Sequence, residues 1–186
     1  MLASGSFDGT VQLWNAANWE QLVVLDGDFL SLRSIAWSPN GTTLAIGSWG
    51  LLDAASLETL AVLEGHTGLA DYVAWSPDGS MLASGGGRLG DYTLRGWDAA
   101  RGEQIAVLEG HTKRVNSIAW SPDGHILASG SSDGTMRFWD TTSWEIFAVV
   151  EANTDSVWTI AWSPDGSMLV SSGWDGWLRI WEITVE

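Results

Sequence analysis

One phrase recurs four times along the chain, and it limits what the chain can fold into. The copies are Ile35-Ala36-Trp37-Ser38-Pro39-Asn40-Gly41, Val73-Ala74-Trp75-Ser76-Pro77-Asp78-Gly79, Ile118-Ala119-Trp120-Ser121-Pro122-Asp123-Gly124 and Ile160-Ala161-Trp162-Ser163-Pro164-Asp165-Gly166. All four prolines of the sequence lie in this phrase, at spacings of 38, 45 and 42 residues. Self-similarity at roughly 40–45 residues marks a structural unit copied in tandem. The 14 Trp and 22 Gly of the composition follow from the copying.

Within one period the chemistry predicts strands and turns. Proline presets φ and the glycine two residues on accepts the unusual φ, so each phrase closes one strand and turns into the next. An apolar run follows, such as Ile126-Leu127-Ala128-Ser129. Asp133-Gly134 is then a hairpin signal, leading into the alternating strand Thr135-Met136-Arg137-Phe138-Trp139. A fourth strand, from Glu145 to Val150, ends the unit. These four strands are a, b, c and d.

The run Leu108-Glu109-Gly110-His111, then Trp-Ser-Pro-Asp-Gly, then Leu127-Ala128-Ser129-Gly130-Ser131-Ser132-Asp133-Gly134-Thr135, ending in Trp139-Asp140, resembles the WD-repeat family. The resemblance covers essentially the whole chain. It implies an all-β fold, a β-propeller array of four-stranded antiparallel blades with strand a lining the central channel and strand d outermost. It also implies a rigid platform for protein partners.

The copies are unequal. The expected division is a partial blade of strands b-c-d over 1–27, whole blades over 28–65, 66–110 and 111–152, and a partial blade of strands a-b-c over 153–186. Leu2 to Asn15 matches Leu127 to Asp140, so the chain enters a repeat at strand b. The 28–65 unit loses its Asp-Gly turn and its tryptophan and carries Ile46 at the serine position, which predicts a stunted b–c hairpin. The 66–110 unit has extra residues in Gly85-Gly86-Gly87-Arg88-Leu89-Gly90-Asp91, which predicts a longer b–c loop. An open array leaves sheet edges and an apolar blade face uncovered. Two arrangements satisfy those faces: a homodimer that completes a ring of eight, possibly ten, blades, or a longer parent array of which this is a part.

In the family, a histidine, serine, aspartate and tryptophan form a hydrogen-bonded structural network within a blade. The positions here are His111, Ser129, Asp133 and Trp139; Ser4, Asp8 and Trp14; Ser171, Asp175 and Trp181; and His66, Ser84 and Trp97. His111, Ser129 and Asp133 also match a hydrolase triad in residue type. Ser129, however, lies inside a strand, and no Gly-x-Ser-x-Gly elbow is present. The expected role is structural, and no catalytic residue is assigned. By the same resemblance, partner-contacting side chains occupy the start of strand a and the residue before the b–c aspartate. These are Ser31, Arg33, Leu69, Asp71, Arg114, Asn116, Ser156 and Trp158, and then Phe7, Ser132 and Trp174, with Trp49 in the short unit. For Trp49, Trp158 and Trp174, packing between blades is the alternative role.

Charge and composition exclude other classes. Eight Lys and Arg against 23 Asp and Glu give a net charge of −15, which counts against nucleic acid and anionic membranes as partners. With no cysteine there is no disulfide or thiolate metal site. The three histidines do not share a ligand spacing, and Gly85-Gly86-Gly87 precedes no helix that could present amides to a phosphate. No metal or cofactor is expected, no signal peptide is evident at Met1, and the cytoplasm is the expected location. The function expected is a non-catalytic protein-interaction scaffold that self-associates. The alternative is a purely structural unit whose sole partner is another copy.

Overall fold

The computed structural model describes residues 1–26, 32–47, 49–87, 89–152 and 155–184. They form five antiparallel sheets in chain order. The first holds β1 (Leu2–Gly5), β2 (Thr10–Trp14) and β3 (Gln21–Asp26), and the second β4 (Ile35–Trp37), β5 (Thr43–Ile46), β6 (Gly50–Asp53) and β7 (Thr59–Val62). The third holds β8 (Ala70–Trp75), β9 (Met81–Gly86), β10 (Leu94–Asp98) and β11 (Glu103–Leu108). The fourth holds β12 (Val115–Trp120), β13 (Ile126–Ser131), β14 (Thr135–Asp140) and β15 (Ile146–Glu151), and the fifth β16 (Val157–Trp162), β17 (Met168–Gly173) and β18 (Leu178–Glu182). Each sheet is a meander of sequential neighbours, so the expected order b-c-d, three complete units and a-b-c is the order observed.

The repeated phrase acts through its serine and aspartate. Ser121 Oγ donates to Asp123 Oδ1 and accepts the Ile126 N–H at 2.9 Å, while the Gly124 N–H closes the turn onto the Ser121 carbonyl at 2.9 Å. Gly124 has φ 78°, a conformation in which glycine alone is unstrained. The tryptophan of the phrase ties one sheet to the preceding one. Trp75, Trp120 and Trp162 donate from Nε1 to the carbonyls of Ala36, Ala74 and Ala119 at 3.0, 3.0 and 3.2 Å. Trp37, the fourth of the set, has a buried Nε1 with no acceptor among the described residues. The first sheet has no strand a to supply one.

Consecutive sheets pack face to face, with their first strands in contact from β4 through β8 and β12 to β16. The core is correspondingly divided into four apolar clusters, one at each sheet–sheet interface among the described residues. Alternation explains this, because successive residues of a strand face opposite neighbours. Leu127 and Trp139 face the third sheet, while Ala128, Met136 and Phe138 face the fifth. A Cβ on Gly130 would stand 2.6 Å from Val157, so glycine there lets the next sheet approach.

The c–d turns add a feature of their own. Trp19, Leu57 and Trp144 hold φ near +60°, a left-handed conformation that costs a large side chain free energy. Each sits at the same turn, its N–H bonded back to Asn15, Asp53 or Asp140. Trp144 uses that conformation to cover the neighbouring sheet. It lies over Gly96, where a Cβ would meet the indole at 2.7 Å, and stacks edge-on against Trp120 with centroids 5.9 Å apart. In the third sheet the equivalent residue is Gly102, also at positive φ.

Candidate functional site

Two sets of side chains stand out, one inside the sheets and one on the rim where the first strands begin. Inside the fourth sheet, His111 Nδ1 lies 2.8 Å from Asp133 and Nε2 lies 2.8 Å from Ser129 Oγ, which also accepts Trp139 Nε1–H at 3.0 Å. An ionised carboxylate only accepts, so Nδ1 carries the proton and Nε2 accepts from the serine hydroxyl. Burial alone would raise the Asp133 carboxyl, but hydrogen bonds from His111 and Thr135 outweigh it and hold it well below the ordinary range. Ser129 is fully buried, so although its hydroxyl faces the imidazole as a nucleophile would, no substrate carbonyl can reach it.

The third sheet repeats the arrangement. His66 lies 2.9 Å from Asp91 and 2.8 Å from Ser84, which accepts Trp97 Nε1–H at 2.8 Å. Burial pushes the His66 imidazole below its usual value, although Asp91 opposes this. Sequence reasoning missed Asp91. The longer loop displaces it in number but not in space, and the signal was Thr93 two residues on, matching Thr135 after Asp133. In the first and fifth sheets, among the described residues, the serine–tryptophan pair forms without a histidine, Trp14 to Ser4 and Trp181 to Ser171, both at 2.9 Å. Asp8 instead accepts from Thr10, and Asp175 pairs with Arg179 at 2.7 Å. Among the described residues no three His, Asp or Glu side chains converge as a metal-ligand set.

The rim is built by β-bulges. The pairing of β8 with β9 skips Asp71, that of β12 with β13 skips Asn116, and that of β16 with β17 skips Trp158. A bulge leaves one residue unpaired and re-aims its side chain. Here it projects three of the residues expected to contact partners. Asp71 is buried between two arginines, with Arg114 Nη2 at 2.6 Å and Arg33 Nε at 3.8 Å. Arg33 lies over the Phe7 ring and Arg114 over the Tyr72 ring, each 5.8 Å from the centroid. Asn116 donates to Ser132 Oγ and to the Val157 carbonyl, both at 2.8 Å, which joins the fourth and fifth sheets. Trp158 and Trp174 stack edge-on at 5.6 Å, and they are 39% and 68% exposed.

Other expected contacts fall elsewhere. Ser156 is buried and Leu69 half-buried, while Ser31 lies outside the described residues. Trp49 follows a different register from Phe7, Ser132 and Trp174. Gly50 pairs with Ile46, and Leu63 N–H donates to the Trp49 carbonyl, so Trp49 stands at the head of strand c, in the place of Met136. It is half-buried rather than at the hairpin tip, packing against the apolar cluster shared with the first sheet and lining a cleft toward the third.

The family model for the WD domain, G-beta repeat, matches residues 1–15, 19–51, 57–98, 102–140 and 144–182. The chain belongs to the WD40 repeat family. Its matched segments end on the last residue of strand c in the third, fourth and fifth sheets, one residue past that strand in the first, and within it in the short second sheet. The WD40 chain is also similar to a curated protein from Yarrowia lipolytica (strain CLIB 122 / E 150) named probable cytosolic iron-sulfur protein assembly protein 1. The two are 43% identical over 51 residues, which is 26% of this chain and 15% of that protein. The match is therefore little longer than one repeat and spans a small part of the relative's length. No helix among the described residues is long and apolar enough to cross a membrane.

Proposed function

We propose that this WD40 chain is a non-catalytic protein-interaction scaffold of the cytoplasm that presents its bulged rim to a protein partner. The observation carrying the reading is the pair of rim features: the Arg33–Asp71–Arg114 cluster and the exposed Trp158–Trp174 stack. Arginine and tryptophan are the residue types that concentrate binding energy at interfaces. Trp97 and Trp139, which pack within the chain, are buried. The test is capture of partners from a lysate by the wild type and by Trp174→Ala. Loss of capture with an unchanged melting temperature supports the rim. A loss of stability equal to that of a core tryptophan would overturn it.

Self-association is the second part of the proposal. The face of the first sheet turned away from the second carries Leu2, Ser4 and Trp14, with Trp19 beside it. These are the repeat equivalents of Leu127, Ser129, Trp139 and Trp144, which the fourth sheet turns to the third. The face of the fifth sheet turned away from the fourth carries Met168, Leu178 and Ile180, equivalents of Ile126, Met136 and Phe138, which the fourth turns to the fifth. The two exposed faces are thus the two halves of one internal interface. A second copy of the chain supplies the missing half to each, and head-to-tail contacts of this kind form a ring where the rotation closes. The pairing of β3 with β2 inside the first sheet supports the ring of ten sheets over the ring of eight.

A further inference from the structure

A cleft of about 300 Å³ opens between the second and third sheets, and the other repeats explain why it is there. Val73 pairs with Ser84 as Ile118 pairs with Ser129 and Ile160 with Ser171. Three residues earlier on the same strand, across the bulge, Ala70 stands where the fourth and fifth sheets place Val115 and Val157, both fully buried. Two residues after the histidine, Gly68 replaces Lys113. Three positions along one wall are therefore smaller than their counterparts. At the next interface the same positions are filled, with Ile118 and Val115 against the face of Gly85. The opposite wall is the indole of Trp49, brought to this place by the short b–c hairpin, and Trp97 and Ser84 close the back.

The chemistry of the lining is mixed. Trp49, Val62 and Val73 make an apolar passage, and Glu64 at its mouth is exposed with its carboxylate in solvent. Both ring nitrogens of His66 are already engaged by Asp91 and Ser84. Among the described residues no lysine or arginine lines the cleft. Arg95 lies beyond Gly65 with its guanidinium bound to Gln104.

From this geometry we infer that the cleft is a binding site for one basic side chain, lysine or arginine, of a partner polypeptide. Its aliphatic stem runs along Trp49 and Val73, and its cation meets Glu64. Indole faces attract cations and stems of this kind cover apolar surface. The net charge of −15 draws cationic segments to the chain. The inference rests on the scaffold reading only for the source of the side chain, and its site is separate from the Trp158–Trp174 rim.

The test follows the indole N–H resonances of Trp49 and Trp97 while the chain is titrated with N-acetyl-Gly-Arg-Gly-amide, with its lysine counterpart and with its norleucine counterpart. Saturable shifts with the two basic peptides, at an affinity about tenfold or more above that for norleucine, are expected. Gly68→Lys combined with Ala70→Val, which installs the sister residues, should remove the response and raise the melting temperature. Glu64→Gln, on the surface, should lower the affinity for the basic peptides several-fold and leave norleucine unchanged. Equal binding of norleucine, persistence in the filled variant, or no shift at all would each overturn the site. A silent cleft with Trp174-dependent capture intact would leave the scaffold reading standing and this one refuted.

Discussion

Ser129 shows how one hydroxyl can hold a blade together. It accepts from the Trp139 indole and donates to the His111 imidazole, in a place where water cannot substitute. Replacing it by alanine leaves two buried polar groups without partners, at a cost of about 1–3 kcal/mol. Ser4 makes the same tryptophan bond on an exposed strand, and there water can take over, so Ser4→Ala should cost less than about 0.5 kcal/mol. Urea denaturation of the two variants measures the contrast, and equal losses would mean that the network is not what stabilises the fourth sheet. The same groups set an acid limit. His66 is held below its usual value and Asp91 and Asp133 are held below theirs, so all three bind protons more readily when unfolded. Their contributions are complete at neutral pH. That of His66 fades as pH drops below about 6.5, and those of the aspartates fade below about 4. Denaturation midpoints should therefore fall stepwise on acidification, and a rise between pH 7 and 5 would contradict the assignment.

At the scale of the element, the second sheet dispenses with the network altogether. Ile46 occupies the serine position and Leu52 the tryptophan position, and with Leu13 and Leu44 they form an aliphatic interface to the first sheet. Ile46 is fully buried, and Leu52 stands where the tryptophan that would donate to a serine is found in the fourth sheet. Restoring the repeat residue by Ile46→Ser should therefore destabilise by about 2–4 kcal/mol, from lost packing and a hydroxyl without a partner. Calorimetry that found the serine neutral would show the interface to be polar after all. The tandem phrase made the strands, their order and this damaged hairpin legible before any coordinates. It did not reveal where Trp49 points, because removing the Asp-Gly turn changes the register that a count along the chain assumes. Nor did it reveal the c–d turn position. Trp19, Leu57, Gly102 and Trp144 share a left-handed backbone and no common chemistry, and their role depends on what stands across the interface: Gly96 faces Trp144, and Ala61 lies against Gly102. The bulges escaped notice for a related reason. Asp71, Asn116 and Trp158 differ in every property except the backbone irregularity that projects them.

Across the whole molecule, the internal interfaces supply a template for what covers the two outer faces. Trp144 rests on Gly96 of the preceding sheet, and Leu57 packs into the cluster that contains Leu13, the residue in the Gly96 position of the first sheet. Carried one step further, Trp19 belongs on Ile180. Both are 68% exposed in the single chain, although an indole held at positive φ gains nothing from solvent. In the proposed dimer, Trp19 of each copy covers Ile180 of the other. Sedimentation equilibrium should then give twice the chain mass of 20.0 kDa, and either Trp19→Ser or Ile180→Asp should return it to the single-chain value. Leu60→Asp is the control. Leu60 is a comparably exposed apolar residue, but it sits in the bulge on the outer strand β7, away from both faces, so its variant should remain dimeric. If the wild type stays at 20.0 kDa at high concentration, the second copy is not the occupant of these faces. If all three variants dissociate the dimer alike, association comes from general apolar exposure. Dissociation by Trp19→Ser and Ile180→Asp alone would place the contact where the repeat geometry puts it.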